Sequence, residues 1–263
     1  MSPGKTIALP LPNFVIIGAQ KSATRWLRLN LGQHPEIFTV GGEPSFFNTD
    51  LYGKGLDAYR EIFADWGGEE FVGESTPGYM QWSGGPAHIA KRIDGSLPEV
   101  KLFSMLRNPV DRTYSAFIHH ISKGRLDPGT DLMEYLAATP PDKDRLQLIA
   151  GSRYATNLEP FAKRFGERLL VQLQDAVRES PVSVYKNALR HLGASDTEFA
   201  PKQLTRVRFS LSAPEGSRYL KRIEAGKPPL IAEERARLRA EFETEMDRLE
   251  KMFDLDLSGW RSG

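Results

Sequence analysis

No cysteine occurs among the 263 residues. Disulfides, thiolate metal sites and cysteine nucleophiles are excluded by that absence alone. Neither sign of charge dominates: 35 Lys and Arg against 34 Asp and Glu leave a formal net charge of +1. A chain so near neutrality has no global field with which to gather nucleic acid or an acidic membrane, so anion binding has to come from a local cluster. No apolar run approaches the ~20 residues of a membrane span. His, Asp and Glu are not clustered at metal-ligand spacings, and no metal is expected. Pro10 and Pro12 stand where a secretory leader would carry its apolar stretch. The first dozen residues are therefore expected to lead into the first strand, in a soluble, cytoplasmic chain with neither a membrane nor a nucleic-acid partner.

What is present alternates. Phe14–Ile17 is a short apolar run of the kind buried on both faces of a parallel sheet. Phe71–Glu74, Lys101–Leu106 and Arg168–Gln174 repeat the pattern, which predicts four strands. Helices are predicted over Thr24–Gln33, Gly55–Phe63, Ala87–Ile93, Pro109–Ser122, Asp131–Ala138 and Tyr154–Phe165. Another is predicted from Pro181 to Leu192, with Ser180 as its N-cap. Leu238, Phe242, Met246, Leu249 and Phe253 recur at helical spacing and predict one long final helix from Ala232 to Phe253. Residues 194–230 read as irregular and basic. Strand–helix alternation without repeat or linker implies one α/β domain over 1–263, a central parallel sheet flanked by helices. Ligands in such sheets bind off the carboxyl ends of the strands. Lys21-Ser22, Glu74-Ser75-Thr76 and Arg107-Asn108 follow three of those ends.

The first strand runs into Gly18-Ala19-Gln20-Lys21-Ser22-Ala23-Thr24-Arg25 and then at once into a helix. That layout turns backbone N–H groups and a helix N-terminus toward an anion, with a Lys to add charge. It is not a nucleotide-kinase P-loop, which needs Gly six residues before the Lys and another directly before it. Val15 and Gln20 occupy those positions.

Three further segments accompany the cradle: His34-Pro35-Glu36-Ile37-Phe38 leading to Gly42-Glu43-Pro44-Ser45-Phe46-Phe47, then Gly73-Glu74-Ser75-Thr76-Pro77-Gly78-Tyr79, then Leu106-Arg107-Asn108-Pro109 through Phe117. In order and spacing the four resemble the sulfotransferases that use 3′-phosphoadenosine 5′-phosphosulfate (PAPS, leaving PAP), in particular the heparan-sulfate branch and its bacterial relatives. The likeness is clear over residues 13 to about 122. It implies a P-loop-like three-layer α/β sandwich. It also implies that Lys21, Ser22, Ala23, Thr24 and Arg25 bind the 5′-phosphosulfate, that Arg107 and Ser115 bind the 3′-phosphate, and that Glu43 is the general base on an acceptor hydroxyl. Lys21 would stabilise the leaving phosphate, and Lys221 and Arg222 would correspond to the family's late basic loop.

The chain departs from the family at several of these positions. Ser45 and Asn48 stand where heparan 3-O enzymes carry His and Asp, and Ser75 stands where they carry a Lys. The acceptor is therefore left open as a small-molecule or carbohydrate hydroxyl. A P-loop-type kinase and a non-catalytic PAP or phosphate binder are the alternative readings. Glu74 is expected to support the cradle by pairing with Lys21 or Arg25, in preference to helping deprotonate the acceptor, Trp26 to lie in the core, and His119 and His120 to be surface or core residues rather than bases.

Overall fold

The computed structural model describes residues 8–81, 84–140, 143–196, 201, 204, 215–225 and 229–262. Lys202, Arg206, Arg208, Gly226, Lys227 and Pro228, which belong to the basic loop, lie outside the described residues.

Strand β1 (Phe14–Gly18) is the centre of the sheet because nothing in it tolerates water: Phe14 through Ile17 are fully buried. Around it stand β2 (Ile37–Thr39), β3 (Phe71–Ser75), β4 (Lys101–Leu106) and β5 (Leu169–Leu173), in the order β2-β3-β1-β4-β5 with every pairing parallel. Successive side chains of a strand point to opposite faces, and two cores result. Phe14 and Ile16 pack with Trp26, Leu27 and Leu31 of α1 (Thr24–Leu31) and with residues of a helix that follows β5. Val15 and Ile17 join the larger core under the helices of the other face. The α/β sandwich of three layers is thus present. Gly73 is required by this packing: it pairs with Phe14, and a Cβ there would lie 2.1 Å from the Phe14 ring.

Helices α2 (Gly55–Arg60), α3 (Pro86–Ser96), α4 (Pro109–Ser122), α5 (Leu132–Ala138) and α6 (Tyr154–Phe165) fall where the apolar spacing puts them. Asn108 caps α4 by accepting the Val110 amide at 3.0 Å, and Asp131 caps α5 by accepting the Glu134 amide at 2.9 Å.

Elsewhere the structure departs from expectation. β2 is a fifth strand, three residues long on the sheet edge and too short to show a period-two pattern. Strand β5 stops at Leu173 and a short helix, α7 (Gln174–Glu179), follows directly. Ser180 precedes α8 (Pro181–Leu192), but its hydroxyl meets Ser183 Oγ at 2.7 Å instead of capping a backbone amide. A helix, α9 (Arg218–Glu224), lies within the segment read as irregular. The final helix is two, α10 (Ala232–Ala240) and α11 (Glu243–Phe253). The Phe242 amide turns back to the Arg239 carbonyl at 2.8 Å, a tight turn that keeps Leu238, Phe242, Met246 and Leu249 all buried while the backbone bends around the core. A last short helix, α12 (Ser258–Ser262), brings Trp260 under α6.

Candidate active site

The cradle is built from backbone first. β1 ends at Gly18, where a Cβ would sit 2.8 Å from that of Met80, so the chain turns against the residue that follows β3. Lys21 and Ala23 then adopt left-handed conformations, with φ of 72° and 68°. Such backbone is costly for residues with a Cβ and concentrates where a ligand must be clamped. Ala23 starts α1 without a side-chain cap, and no acidic residue stands in the first turn. The leading amides of α1, the positive end of its dipole, are thus left without a side-chain partner at that end. Ser22 is fully buried beside the Tyr154 phenol, and its hydroxyl has no hydrogen-bond partner of ordinary geometry.

Positive charge converges on this turn. Burial lowers the pKa of Lys21, and the guanidinium groups of Arg107 and Arg112 push it further down. Burial likewise depresses Arg107, against the pull of Asp111. Among the described residues the Arg107 side chain makes no hydrogen bond and no ion pair, while its carbonyl accepts the Tyr154 hydroxyl at 2.9 Å. Arg112 is 0% exposed, and among the described residues its hydrogen-bond partners are carbonyls, an amide oxygen and a hydroxyl, not a carboxylate. It donates to the Gln20 carbonyl at 3.2 Å, to the Leu148 and Gln147 carbonyls at 3.0 and 3.2 Å, and to Gln81 Oε1 at 2.6 Å. Three cations crowd this turn; Asp111 and Asp175 act on Arg107 and Asp144 on Arg112 through their fields, and an anion bound here would relieve the remaining repulsion.

Helix α4 lines this site. Ser115 and His119 are one turn apart on it, and both are half-buried. The His119 imidazole is pushed down to about 4, chiefly by burial and then by Lys21. His119 thus lies in the field of Lys21. His120 is buried and meets Arg125 at 3.2 Å.

The segment after β2 carries Glu43. Crowding by protein raises its carboxyl pKa, and Arg28 of α1 works the other way, although the side chain remains open to solvent. Arg28 donates to the Val40 carbonyl at 3.1 Å and feels Arg25, which is exposed on the same helix.

Glu74 does not pair with Lys21 or Arg25. It is 0% exposed and accepts three hydroxyls: Tyr59 at 2.9 Å and Tyr79 at 2.7 Å on Oε1, Thr76 at 2.6 Å on Oε2. Burial nevertheless raises its pKa to about 6.

Trp26 lies in the core, and its indole N–H donates to the Leu204 carbonyl at 3.1 Å, tying the segment after α8 across α1. Of the late basic residues, Arg222 is engaged with Glu234 at 3.2 Å and the Pro229 carbonyl at 2.7 Å, and Lys221 is exposed. No contact among the described residues brings either to the cradle. Among the described residues no group of three or more His, Asp or Glu is arranged to hold a metal ion. No helix among them is long and apolar enough to cross a membrane.

A parallel sheet with a cation-lined strand-to-helix turn at its central carboxyl end defines a P-loop-like α/β fold. Comparison with known proteins narrows that class. The chain is 29% identical over 231 residues to heparan sulfate glucosamine 3-O-sulfotransferase 3B1 of Mus musculus, a match covering 86% of this chain and 56% of that protein. It is 30% identical over 203 residues to bifunctional heparan sulfate N-deacetylase/N-sulfotransferase 1 of Mus musculus, covering 71% of this chain and 22% of that protein. The chain thus spans about half the length of the first relative and less of the second. The crystal structure of a sulfotransferase from Alicyclobacillus acidocaldarius superposes with a TM-score of 0.77 at 28% identity, over 96% of this chain and 99% of that one. A sulfotransferase domain from the curacin biosynthetic pathway, at 15% identity and a TM-score of 0.52 over 72% of this chain and 76% of that one, shares the fold. No protein-family model matches the chain. The chain belongs to the sulfotransferase superfamily, with the heparan-sulfate branch and its bacterial relatives.

Arg112, Arg28 and Tyr154 are the site residues that the sequence did not single out. Arg112 lies inside the Leu106–Phe117 motif, and an Arg five residues after a strand-end Arg was a usable signal. The other two are placed by tertiary packing and carry no local signature.

Proposed function

We propose that this chain transfers a sulfuryl group from PAPS to the hydroxyl of a small-molecule or carbohydrate acceptor. The observation that carries this reading is the crowding of Lys21, Arg107 and Arg112 beside the N-terminus of α1, in a chain of the sulfotransferase superfamily. PAPS, when bound, supplies the sulfuryl group. The cradle residues Lys21, Ser22, Ala23, Thr24 and Arg25 would hold the 5′-phosphosulfate, and the unpartnered Ser22 hydroxyl fits that task. Arg107 would hold the 3′-phosphate with Ser115 beside it. A guanidinium fork suits a phosphate because it reaches two oxygens at once.

Sulfuryl transfer resembles phosphoryl transfer, in which positioning and charge stabilisation dominate a loose, in-line transition state. Lys21 balances the charge that develops on the departing phosphate oxygen. Glu43 accepts the proton of the acceptor hydroxyl. Its carboxyl, held above the usual glutamate value by crowding against the pull of Arg28, is a better proton acceptor than a free glutamate.

Calorimetric titration with PAP, with ATP-Mg²⁺ as control and Arg107→Ala alongside, tests the reading. Micromolar PAP binding that disappears in the variant, followed by transfer of labelled sulfate from PAPS to an acceptor panel of phenols, alcohols and glucosaminyl oligosaccharides, is the expected result. Equal binding of ATP, or no PAP binding, overturns it.

A further inference from the structure

Between the Glu43 segment and the buried Glu74 carboxylate runs a directed pair of hydrogen-bond relays. The Ser45 amide donates to Thr76 Oγ1 at 3.1 Å, and that hydroxyl donates to Glu74 Oε2 at 2.6 Å. The Phe47 amide donates to the Tyr79 hydroxyl at 3.3 Å, and that hydroxyl donates to Glu74 Oε1 at 2.7 Å. Tyr59 donates to the same Oε1 at 2.9 Å, and its ring stacks on Phe46 with centroids 4.1 Å apart. Phe47 sets its edge against both tyrosine rings, at 5.3 and 5.6 Å. Phe46 and Phe47 are fully buried, so the segment that carries Glu43 is plugged into the wall around Glu74.

The chemistry of the acceptor sets the direction of both relays. An ionised carboxylate only accepts, so every hydroxyl facing it must spend its one proton inward. Each hydroxyl oxygen is then left with lone pairs alone for the loop, and lone pairs are what the Ser45 and Phe47 amides need. A protonated carboxyl or an amide at this position would present a donor to one of the three hydroxyls, turn it around and weaken a loop anchor. Buried networks of this kind are rigid when every member is satisfied and costly when one is not.

We propose that Glu74 is a positioning residue: through the Thr76 and Tyr79 hydroxyls it locks the backbone of Ser45 and Phe47, and so fixes the placement of the Glu43 carboxylate that this segment carries. The proposal rests on the reading of Glu43 as the proton acceptor. The groups facing Glu74 are Tyr59 from α2, Thr76 and Tyr79 after β3, and Glu43 through its field. No Lys, Arg or His among the described residues hydrogen bonds to it. The ionised state that directs the relays is therefore held by hydroxyls and gives way on mild acidification.

Amide hydrogen exchange, read residue by residue by NMR, tests this without an acceptor. Wild type, Glu74→Gln and Tyr79→Phe are compared at pH 7.5, with urea unfolding as the measure of global stability and PAP calorimetry as the measure of the cradle. Exchange at least tenfold faster is expected at Phe47 in Tyr79→Phe, and at Ser45 or Phe47 in Glu74→Gln. Amides of β1 and β4 should be unchanged and PAP affinity should stay within about twofold. In Tyr79→Phe the Glu43 carboxyl, followed by its carbon-13 shift, should titrate closer to an ordinary glutamate. In wild type alone, protection of Ser45 and Phe47, corrected for intrinsic exchange, should fall between pH 7.5 and 5. Unchanged exchange at both amides, exchange that rises everywhere in step, an unmoved Glu43 titration or a pH-flat protection each overturn the proposal. Failure of the wild type to bind PAP would instead remove the proposed function and leave the exchange result standing.

Discussion

The Nε of Arg112 donates to the carbonyl oxygen of Gln20 at 3.2 Å across 92 residues of sequence. That bond joins the residue just before Lys21 to the interior of α4, and the remaining nitrogens of the same guanidinium hold the carbonyls of Gln147 and Leu148 and the side chain of Gln81. One buried cation thus fixes the anion cradle against two distant loops. It also adds positive charge behind Lys21.

Replacing Arg112 by Met keeps most of the volume and removes every donor. The Gln20, Gln147 and Leu148 carbonyls and the Gln81 amide oxygen are then left without this partner, at about 1–3 kcal/mol for each buried group that water cannot reach. Urea unfolding should show a loss of about 3 kcal/mol or more, with PAP binding weakened in the fraction that remains folded. Gly151→Ala should act on the same contact, because its Cβ would lie 2.6 Å from Arg112 Nη1. A stability within about 0.5 kcal/mol of wild type for Arg112→Met would show that the guanidinium is not the tie.

Much of this was legible in the sequence, for physical reasons that can be named. β1 announces itself because a strand buried on both faces has to be apolar throughout, and the cradle because a strand running straight into a helix has few other uses for a Lys and small residues. Two features were not legible. β2 has three residues, with Ile37 in one core and Phe38 against the other, too short a run for any pattern. The break at Glu241–Phe242 leaves the apolar spacing intact, since bending a helix around a core does not change which residues it buries. In the site, the partners of Glu74 misled for a different reason. A glutamate beside a Lys-bearing loop reads as an ion pair, whereas the hydroxyls of Tyr59, Thr76 and Tyr79 enclose it first.

PAP affinity should fall on the alkaline side earlier than an ordinary lysine would allow. The free protein holds the Lys21 pKa below its usual value through burial and through Arg107 and Arg112, so its ammonium loses the proton at a lower pH. Below that point Lys21 is charged and attracts the phosphates; above it the contribution is gone. Calorimetry between pH 7 and 10 should show the decline, accompanied by proton uptake on binding, and Lys21→Ala should flatten it. An identical pH profile in the variant would assign the decline to another group.

Glu43→Gln should leave PAP affinity nearly unchanged and lower turnover by ~10²-fold or more, the scale of a lost general base. Crowding raises the Glu43 pKa, so the carboxylate is protonated, and unable to accept a proton, from a higher pH than a free glutamate. The acid limb of kcat should therefore sit above the ordinary glutamate range and vanish in the variant. Unaltered turnover in Glu43→Gln would move the proton acceptor elsewhere.

The stability of the fold should carry the signature of Glu74. Its folded-state pKa is about 6, above the ordinary 4.5, because burial disfavours the charge. A raised carboxyl pKa means that the folded state binds the proton more tightly than the unfolded chain. The associated stability is fully present below about pH 4.5 and is lost as pH rises through about 6. A difference of about 1.5 units corresponds to about 2 kcal/mol. Measured against Glu74→Gln, which has nothing to titrate, wild type should lose about that much between pH 4 and pH 7.5. The loop anchors of Ser45 and Phe47 are strongest over the upper part of the same range, where the carboxylate is ionised, so the fold is least favoured by Glu74 where the Glu43 segment is held best. A stability gap between the two proteins that stays constant from pH 4 to pH 7.5 would mean that Glu74 titrates as an ordinary carboxyl and that its burial among three hydroxyls exacts no such cost.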